Sequence, residues 1–401
     1  MAVQGSPIKF TPAPPSPNAA APELRRFAEE GPVILAELPD GSTAWLVSGY
    51  EQVRQMEADP RFSRALAVAS DRPRQGFEIF AGSSINGIDP PEHTRLRKLV
   101  ASAFTARRVE ALRPRAAAIV EELIDALLDQ PQPADLVTAF SLPLPVQVIC
   151  EMLGVPAEDM EQFHAWSDTV MGGWERNPAE VMTALVDMFG YFGKLIEMKR
   201  AQPADDLMTA LIAARDQADR LSEEELMVMG CTLLMGGHET TANQINLSLL
   251  ALLQHPDELA KLRADSKLIP GAVEELLRYV RLGGLAPARV TSEEVPIGDV
   301  TIPAGAAVIP LYGTANRDPS VFTDPDRFDV TRAAANHLAF GFGVHHCLGA
   351  QLARMELQEA FRGLLGRVPG LRLAVPAEQI RFKHGMAIHS MYELPVEWDR
   401  P

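Results

Sequence analysis

The sequence predicts a mainly α protein with small β-sheets, folded as one domain around a long central helix. Three observations carry this expectation. Residues 222–254 form the longest helical stretch, opening on the capping-box pattern Ser222-Glu223-Glu224-Glu225 and ending before His255-Pro256. If continuous it is about 50 Å long, and its middle is apolar on nearly every side, which predicts a path through the interior. Residues 109–128 and 355–365 carry apolar positions at three- and four-residue spacing. Strand signals, by contrast, are few and short.

In chain order, the Pro-rich stretch between Pro7 and Pro22 reads as an extended lead-in, so residues 1–22 precede a domain spanning 23–401. Residues 43–47 are the first strand candidate. His93 and Arg97 stand at i and i+4, on one face of a helix. Glu275 and Arg278, in Glu274-Glu275-Leu276-Leu277-Arg278, also share a helical face and are close enough to pair. Residues 295–302 read as a hairpin on a Gly-Asp turn, and 306–311 as a further strand.

A chain of 401 residues can hold one large core or two ordinary domains. No linker, charge block or internal repeat divides it, which favours one. Cys150, Cys231 and Cys347 lie far apart, arguing against a disulfide scaffold and for a reducing, intracellular setting. Residues 1–7 lack the features of a signal peptide, and the apolar run 226–235 is too short to span a bilayer. A cytoplasmic protein with no membrane attachment is expected. The net charge of −16 disfavours nucleic acid as a partner. Between Arg95 and Arg115, however, seven basic residues (Arg95, Arg97, Lys98, Arg107, Arg108, Arg113, Arg115) face a single acid, Glu110. A solvated helix face explains any one of them; the cluster calls for an acidic ligand or partner.

The central helix breaks its own rules at Met235-Gly236-Gly237-His238-Glu239-Thr240-Thr241. Two glycines in a helix interior together cost roughly 1.5–2 kcal/mol relative to alanines, and they invite a kink or an inserted water. An acid and two hydroxyls follow in a segment that should be dry, where water or a ligand must satisfy them. Close helix packing at the glycines with Glu239 in an ordinary ion pair is the plainer alternative.

Cys347 lies in Phe340-Gly341-Phe342-Gly343-Val344-His345-His346-Cys347-Leu348-Gly349, just before a strongly helical stretch. Glycine-permitted turns, backbone N–H donors and a helix N-terminus all favour thiolate over thiol. A small buried packing cysteine, the commoner case, needs none of these.

This decapeptide resembles the haem-thiolate loop of the cytochrome P450 family, Phe-x-x-Gly-x-His-x-Cys-x-Gly. The resemblance implies the P450 fold, with the long central helix lying over the haem. It implies haem b (iron protoporphyrin IX) ligated by Cys347 and seated against Phe340, Gly341 and Gly349. His93, Arg97, Arg289 and His345 resemble the positions that bind the haem propionates, where carboxylates need cationic, directional donors. Thr240 is implied in protonation of bound oxygen and Glu239 in proton supply from solvent. Glu275, Arg278 and Arg327, the last in Asp326-Arg327-Phe328, are implied as a structural trio behind the Cys loop.

Family topology further implies a pocket roofed by residues 71–88 and by the helices around 163–185. Its walls would include Met229, Thr232, Leu233, Gly236, Leu285 and Met391. The expected activity is a monooxygenase of secondary metabolism acting on a small apolar organic substrate. O2 would be the oxidant, and electrons would come from NAD(P)H through separate ferredoxin and ferredoxin reductase proteins, since no flavin reductase segment is visible. The basic cluster would dock the acidic ferredoxin. Oxidative C–C or C–N coupling or rearrangement, for example of a cyclic dipeptide, starts from the same centre and stays open. So does a non-catalytic haem- or ligand-binding protein, against which the intact Glu239-Thr240 pair argues.

Overall fold

The computed structural model describes residues 7–10, 29–70, 82, 84–171, 177–218, 221–384, 386 and 388–400. Strands β1 (Ile8–Lys9), β2 (Val33–Glu37), β3 (Thr43–Val47) and β4 (Phe62–Ser63) alternate with helices α1 (Tyr50–Ala58) and α2 (Arg64–Ala69). A helical body follows: α3 (Glu92–Ala101), α4 (Ala106–Leu128), strand β5 (Ala134–Asp135), α5 (Pro143–Leu153), α6 (Met160–Met171), α7 (Pro178–Ala201) and α8 (Leu207–Ala218). Then come α9 (Glu223–Gln254), α10 (Pro256–Ala264) and α11 (Ile269–Tyr279). Strands β6 (Arg289–Thr291), β7 (Val295–Ile297), β8 (Val300–Ile302) and β9 (Ala307–Pro310) precede α12 (Tyr312–Ala315) and α13 (Ala350–Arg367). Strands β10 (Arg372–Leu373) and β11 (Pro395–Glu397) close the chain.

The main sheet has the order β1-β2-β3-β9-β6-β4, beside a three-stranded sheet β10-β11-β5 and the hairpin β7-β8. The hairpin predicted over 295–302 turns at Gly298, whose φ of +56° is left-handed backbone that glycine adopts without strain. Within the Pro-rich lead-in only 7–10 is described. There Ile8 and Lys9 pair in parallel with Ala36 and Glu37, so this part of the segment belongs to the sheet.

Helix α9 matches the predicted central helix. The Ser222 Oγ accepts from the Glu225 N–H at 3.0 Å, and the Glu225 carboxylate accepts from the Ser222 N–H at 2.7 Å. It runs through the interior against α5, α7, α8 and α13. No break interrupts it at the glycine pair. The two glycines serve different neighbours instead. A Cβ on Gly237 would come within 2.7 Å of Ile149 on α5, whereas one on Gly236 would meet nothing within 4 Å. Gly237 permits close helix packing; Gly236 leaves open space.

Behind the Cys loop, Glu275 and Arg278 are fully buried and pair at 2.6 Å. Arg278 also donates to the carbonyls of Asn316 at 2.9 Å and Pro325 at 2.8 Å. The third member of this trio is Arg332, not Arg327. Arg332 Nε donates to Glu275 Oε1 at 3.1 Å, while the Arg327 side chain is 63% exposed and lies 3.4 Å from Asp329. Phe328 packs into the core against Tyr279 and His255, which leaves the residue before it facing solvent. Arg327 contributes only its carbonyl, which accepts from Arg332 at 3.0 Å.

Candidate active site

The loop from Phe340 to Gly349 is closed by the Cys347 N–H, which donates to the Phe340 carbonyl at 2.9 Å. Gly341 and Gly343 hold φ of +71° and +69°, so both bends need glycine. Gly343 is required twice, because a Cβ there would run into the Glu57 carbonyl of α1. Gly349 differs from the sequence reading. Its φ of −83° suits any residue, and its open side faces a cavity.

Sequence reasoning missed how the loop is anchored. Arg354 on α13 lies with its guanidinium 4.6 Å from the Phe340 ring centroid and pairs with Glu274 at 2.8 and 3.0 Å. His337 Nε2 meets the same carboxylate at 3.1 Å. Burial pushes the Glu274 carboxyl up, but His337 and Arg354 together outweigh it and hold it at about 2. The signal was present in Glu274, the neighbour of the predicted pair, which the search for Glu-x-x-Arg passed over.

Above the loop lies a cavity of about 540 Å³, bounded on one side by Phe340, Gly341, His345, Cys347 and Gly349. On the other side α9 contributes Thr232, Leu233, Gly236, Thr240 and Gln244. Leu285 lines it as predicted, Ile388 adds a further apolar wall, and Ile85 and Asn86 represent the roof. Most of the roof, residues 71–81 and 83, lies outside the described residues, as do 172–176 near the roof helices. Met229 and Met391 do not line the cavity. Both are 2% exposed and packed in the main apolar core; Met229 shares the face of α9 that carries Thr232 and Leu233 but stands one turn before them.

The Cys347 thiol opens on this cavity. Burial pushes its pKa up, against the Gly349 N–H and the charges of Arg97 and Arg354, which pull it down. The expected N–H and cationic contributions are thus present, with burial opposing them. Coordination to a metal ion deprotonates such a thiol outright.

Thr240 and Glu239 part company on α9. The Thr240 hydroxyl lines the cavity and donates to the Gly236 carbonyl at 2.8 Å. Glu239 is 3% exposed and points away, accepting from Asn243 Nδ2 at 3.2 Å. Its Oε2 and the Nε2 of His238 are both buried without a hydrogen-bond partner, 3.6 Å apart. Burial raises the Glu239 carboxyl and lowers His238 to about 4, so both shifts weaken an ion pair between them. His164 on α6 has its ring 6.5 Å from that of His238, and the Asp168–Lys383 pair of α6 and the C-terminal segment stands near Glu239.

The four expected propionate-binding residues are gathered at one end of the cavity but are not equivalent. Arg97 and His345 line it. His93 sits behind His345, rings 4.4 Å apart, with both nitrogens buried and unpartnered. Arg289 does not reach the lining; it is buried against Glu57 in an ion pair. Burial, followed by Arg64, Arg289, His93 and Arg97, drives His345 down to about 2, and burial lowers His93 as well. The histidines are thus neutral donors, and the arginines supply the charge.

These residues fit a haem. A thiol faces the cavity from a tight loop, and bare glycine positions at 349 and 236 leave room on either side. Buried donors at one end, His93 above all, lack the acceptors that carboxylates would provide.

Comparison with known proteins agrees. The family model for Cytochrome P450 matches residues 176–367. The chain is 49% identical to nocardicin C N-oxygenase of Nocardia uniformis subsp. tsuyamanensis, over 92% of this chain and 93% of that protein. The chain belongs to the cytochrome P450 family. It is 47% identical to mycinamicin IV hydroxylase/epoxidase of Micromonospora griseorubida over the same shares. The LnmA cytochrome P450 hydroxylase from the leinamycin biosynthetic pathway of Streptomyces atroolivaceus superposes with a TM-score of 0.90 at 43% identity, over 98% of this chain and all of that one. This P450 is a haem monooxygenase of secondary metabolism, using O2 and electrons delivered by redox partners. Among the described residues no helix is long and apolar enough to cross a membrane.

Proposed function

We propose that this P450 inserts one oxygen atom from O2 into an apolar natural-product scaffold. Electrons come from NAD(P)H by way of a ferredoxin reductase and a ferredoxin. The observation that supports this most directly is that Cys347 and Thr240 line one and the same cavity. When bound, haem would supply the oxygen-activating iron, which Cys347 would hold, with Phe340, Gly341 and Gly349 forming part of its seat. Leu233, Leu285 and Ile388 give the substrate an apolar seat and exclude water from it. Thr232, whose hydroxyl donates to Ser84 at 3.2 Å, offers one polar contact.

Thr240 holds a proton at the cavity wall. Its hydroxyl must leave the Gly236 carbonyl to pass that proton on, and Gly236 leaves the space in which it turns. Glu239, whose carboxyl burial raises, is placed to replenish it from the α6 side, where His164, Asp168 and Lys383 stand nearby. The related N-oxygenase and hydroxylase/epoxidase act at nitrogen, C–H and alkene positions, and the mainly apolar walls here restrict none of these.

Reconstitution with ferredoxin, its reductase, NADPH and a panel of natural products that includes nocardicin C and mycinamicin IV tests the reading. Product should gain one oxygen derived from 18O2. Thr240→Ala should yield about tenfold less product per NADPH, the remainder appearing as peroxide, as loss of a positioned proton donor dictates. Unchanged coupling in Thr240→Ala would remove Thr240 from this role.

A further inference from the structure

Two buried polar atoms of α9, Glu239 Oε2 and His238 Nε2, have no hydrogen-bond partner and stand 3.6 Å apart. Protein interiors seldom leave such atoms unmatched. What each can donate or accept is fixed by the other end of its side chain. His238 Nδ1 lies 3.0 Å from the Leu234 carbonyl. A carbonyl only accepts, so Nδ1 carries a hydrogen in every charge state, and in the neutral ring Nε2 is a bare acceptor. Asn243 Nδ2 donates to the main-chain carbonyl of Glu239 at 2.9 Å and to its Oε1 at 3.2 Å. That main-chain contact orients the amide, Oε1 is occupied as an acceptor, and a proton on the Glu239 carboxyl belongs on Oε2.

The two orphaned atoms therefore face each other with a place for one proton between them. With none, lone pairs meet lone pairs. With two, an N–H meets an O–H. With one, Oε2–H donates to Nε2 or Nε2–H donates to Oε2, and both atoms are satisfied. Closing the 3.6 Å gap to charge-assisted hydrogen-bond length takes a shift of under about 1 Å. We propose that Glu239 and His238 form a dyad that holds a single proton between Oε2 and Nε2, His238 being the positioning residue through which Glu239 is kept supplied. This inference rests on the proton-supply role given to Glu239 above and deepens it by naming where the proton is stored. Burial penalises charge on both partners, so the dyad titrates as a unit.

When Glu239 gives up its proton the dyad is one proton short. The replacement enters from the α6 side, where the His164 ring lies 6.5 Å from that of His238. Among the described residues the other charges that reach the dyad are Asp168 of α6 and its ion-pair partner Lys383 of the C-terminal segment.

Infrared spectroscopy of the holoprotein near neutral pH reads the dyad without turnover. The carboxyl C=O stretch of Glu239 is the band that Glu239→Gln removes. His238→Leu takes away the acceptor at Nε2, so its Glu239 carboxyl should absorb at the higher frequency of a carboxyl whose O–H has no acceptor, a band that wild type lacks. The second measurement is product per NADPH against pH, with the same ferredoxin and reductase throughout. His238→Gln keeps an amide beside Oε2 but cannot carry the proton, so Glu239 must hold it alone. Coupling should then be lost on the alkaline side about one pH unit earlier than in wild type. If His238→Leu does not fold, the His238→Gln profile decides.

A Glu239 band at one frequency in wild type and His238→Leu, or an alkaline limb unmoved in His238→Gln, would overturn the dyad. Wild-type coupling in Glu239→Gln would instead remove Glu239 from proton supply, a failure that the infrared comparison of wild type with His238→Leu keeps separate.

Discussion

At the residue scale, short spacing motifs located side chains well and their partners less well. Glu275 and Arg278 meet as their three-residue spacing requires, because both lie within one helix. The arginine that joins them comes from a distant turn, and its identity depends on which way neighbouring side chains face. Phe328 turns inward, Arg327 outward, and Arg332 delivers the contact. Arg332→Ala should therefore lower stability by about 2 kcal/mol, the usual worth of a hydrogen bond to a buried charge. Arg327→Ala should cost under about 0.5 kcal/mol, as exposed substitutions do. Denaturant unfolding of the two variants distinguishes them, and equal losses would contradict the assignment. The end of the cavity lined by Arg97 and His345 illustrates the same limit. The motifs brought His93, Arg97 and His345 together, but Arg64 and Glu57 reach that end only through the pairing of β4 with β6 and the seating of α1 on the Cys loop. Neither is a local signal.

At the scale of elements, α9 was readable almost to the residue, since its cap, its length and its all-round apolar middle are properties of one continuous segment. What the segment could not reveal is the division of labour between its two glycines. Replacement of glycine by alanine in a helix interior gains about 1 kcal/mol. At position 237 the new methyl meets Ile149, and overpacking of this kind costs about 1–3 kcal/mol. At position 236 nothing opposes the gain, although the methyl enters the cavity. Gly236→Ala should thus raise the thermal unfolding midpoint and Gly237→Ala should lower it. The Gly236→Ala protein should also bind bulky substrates more weakly, seen as a smaller spin-state shift on titration. A midpoint that rises in Gly237→Ala would mean that α5 yields there. The strands predicted at 43–47, 295–302 and 306–311 fall within a residue or so of β3, β7–β8 and β9, while β2 and β6 were missed, and the sheet order is invisible locally, because β3 pairs with β9 across more than half the chain.

At the scale of the whole molecule, the basic cluster shrinks when its partners are seen. Arg95 pairs with Glu92 and Glu225, Arg113 with Glu110 and Glu359, and Arg115 with Glu122 and Glu151. Arg97 is turned to the cavity and to the His346 carbonyl. Lys98, Arg107 and Arg108 remain exposed, on helices that abut the Cys loop. These three are the residues through which an acidic ferredoxin would be steered in an otherwise acidic chain, whose net charge is −16. The rate of reduction by ferredoxin should fall as salt rises. In Arg107→Glu/Arg108→Glu it should drop about tenfold or more at low salt and lose most of its salt dependence. Stopped-flow reduction under carbon monoxide measures this, and a double variant reduced at the wild-type rate would move the docking site elsewhere.

The proposed ligation of the haem iron by Cys347 is the claim on which all three scales depend. The most direct test is the absorption spectrum of the dithionite-reduced, carbon monoxide-bound protein, recorded for wild type and for Cys347→His. The account predicts the red-shifted Soret band of thiolate-ligated haem in wild type and its loss in the variant. A wild-type band characteristic of nitrogen ligation, or a red-shifted band that survives in Cys347→His, would contradict it.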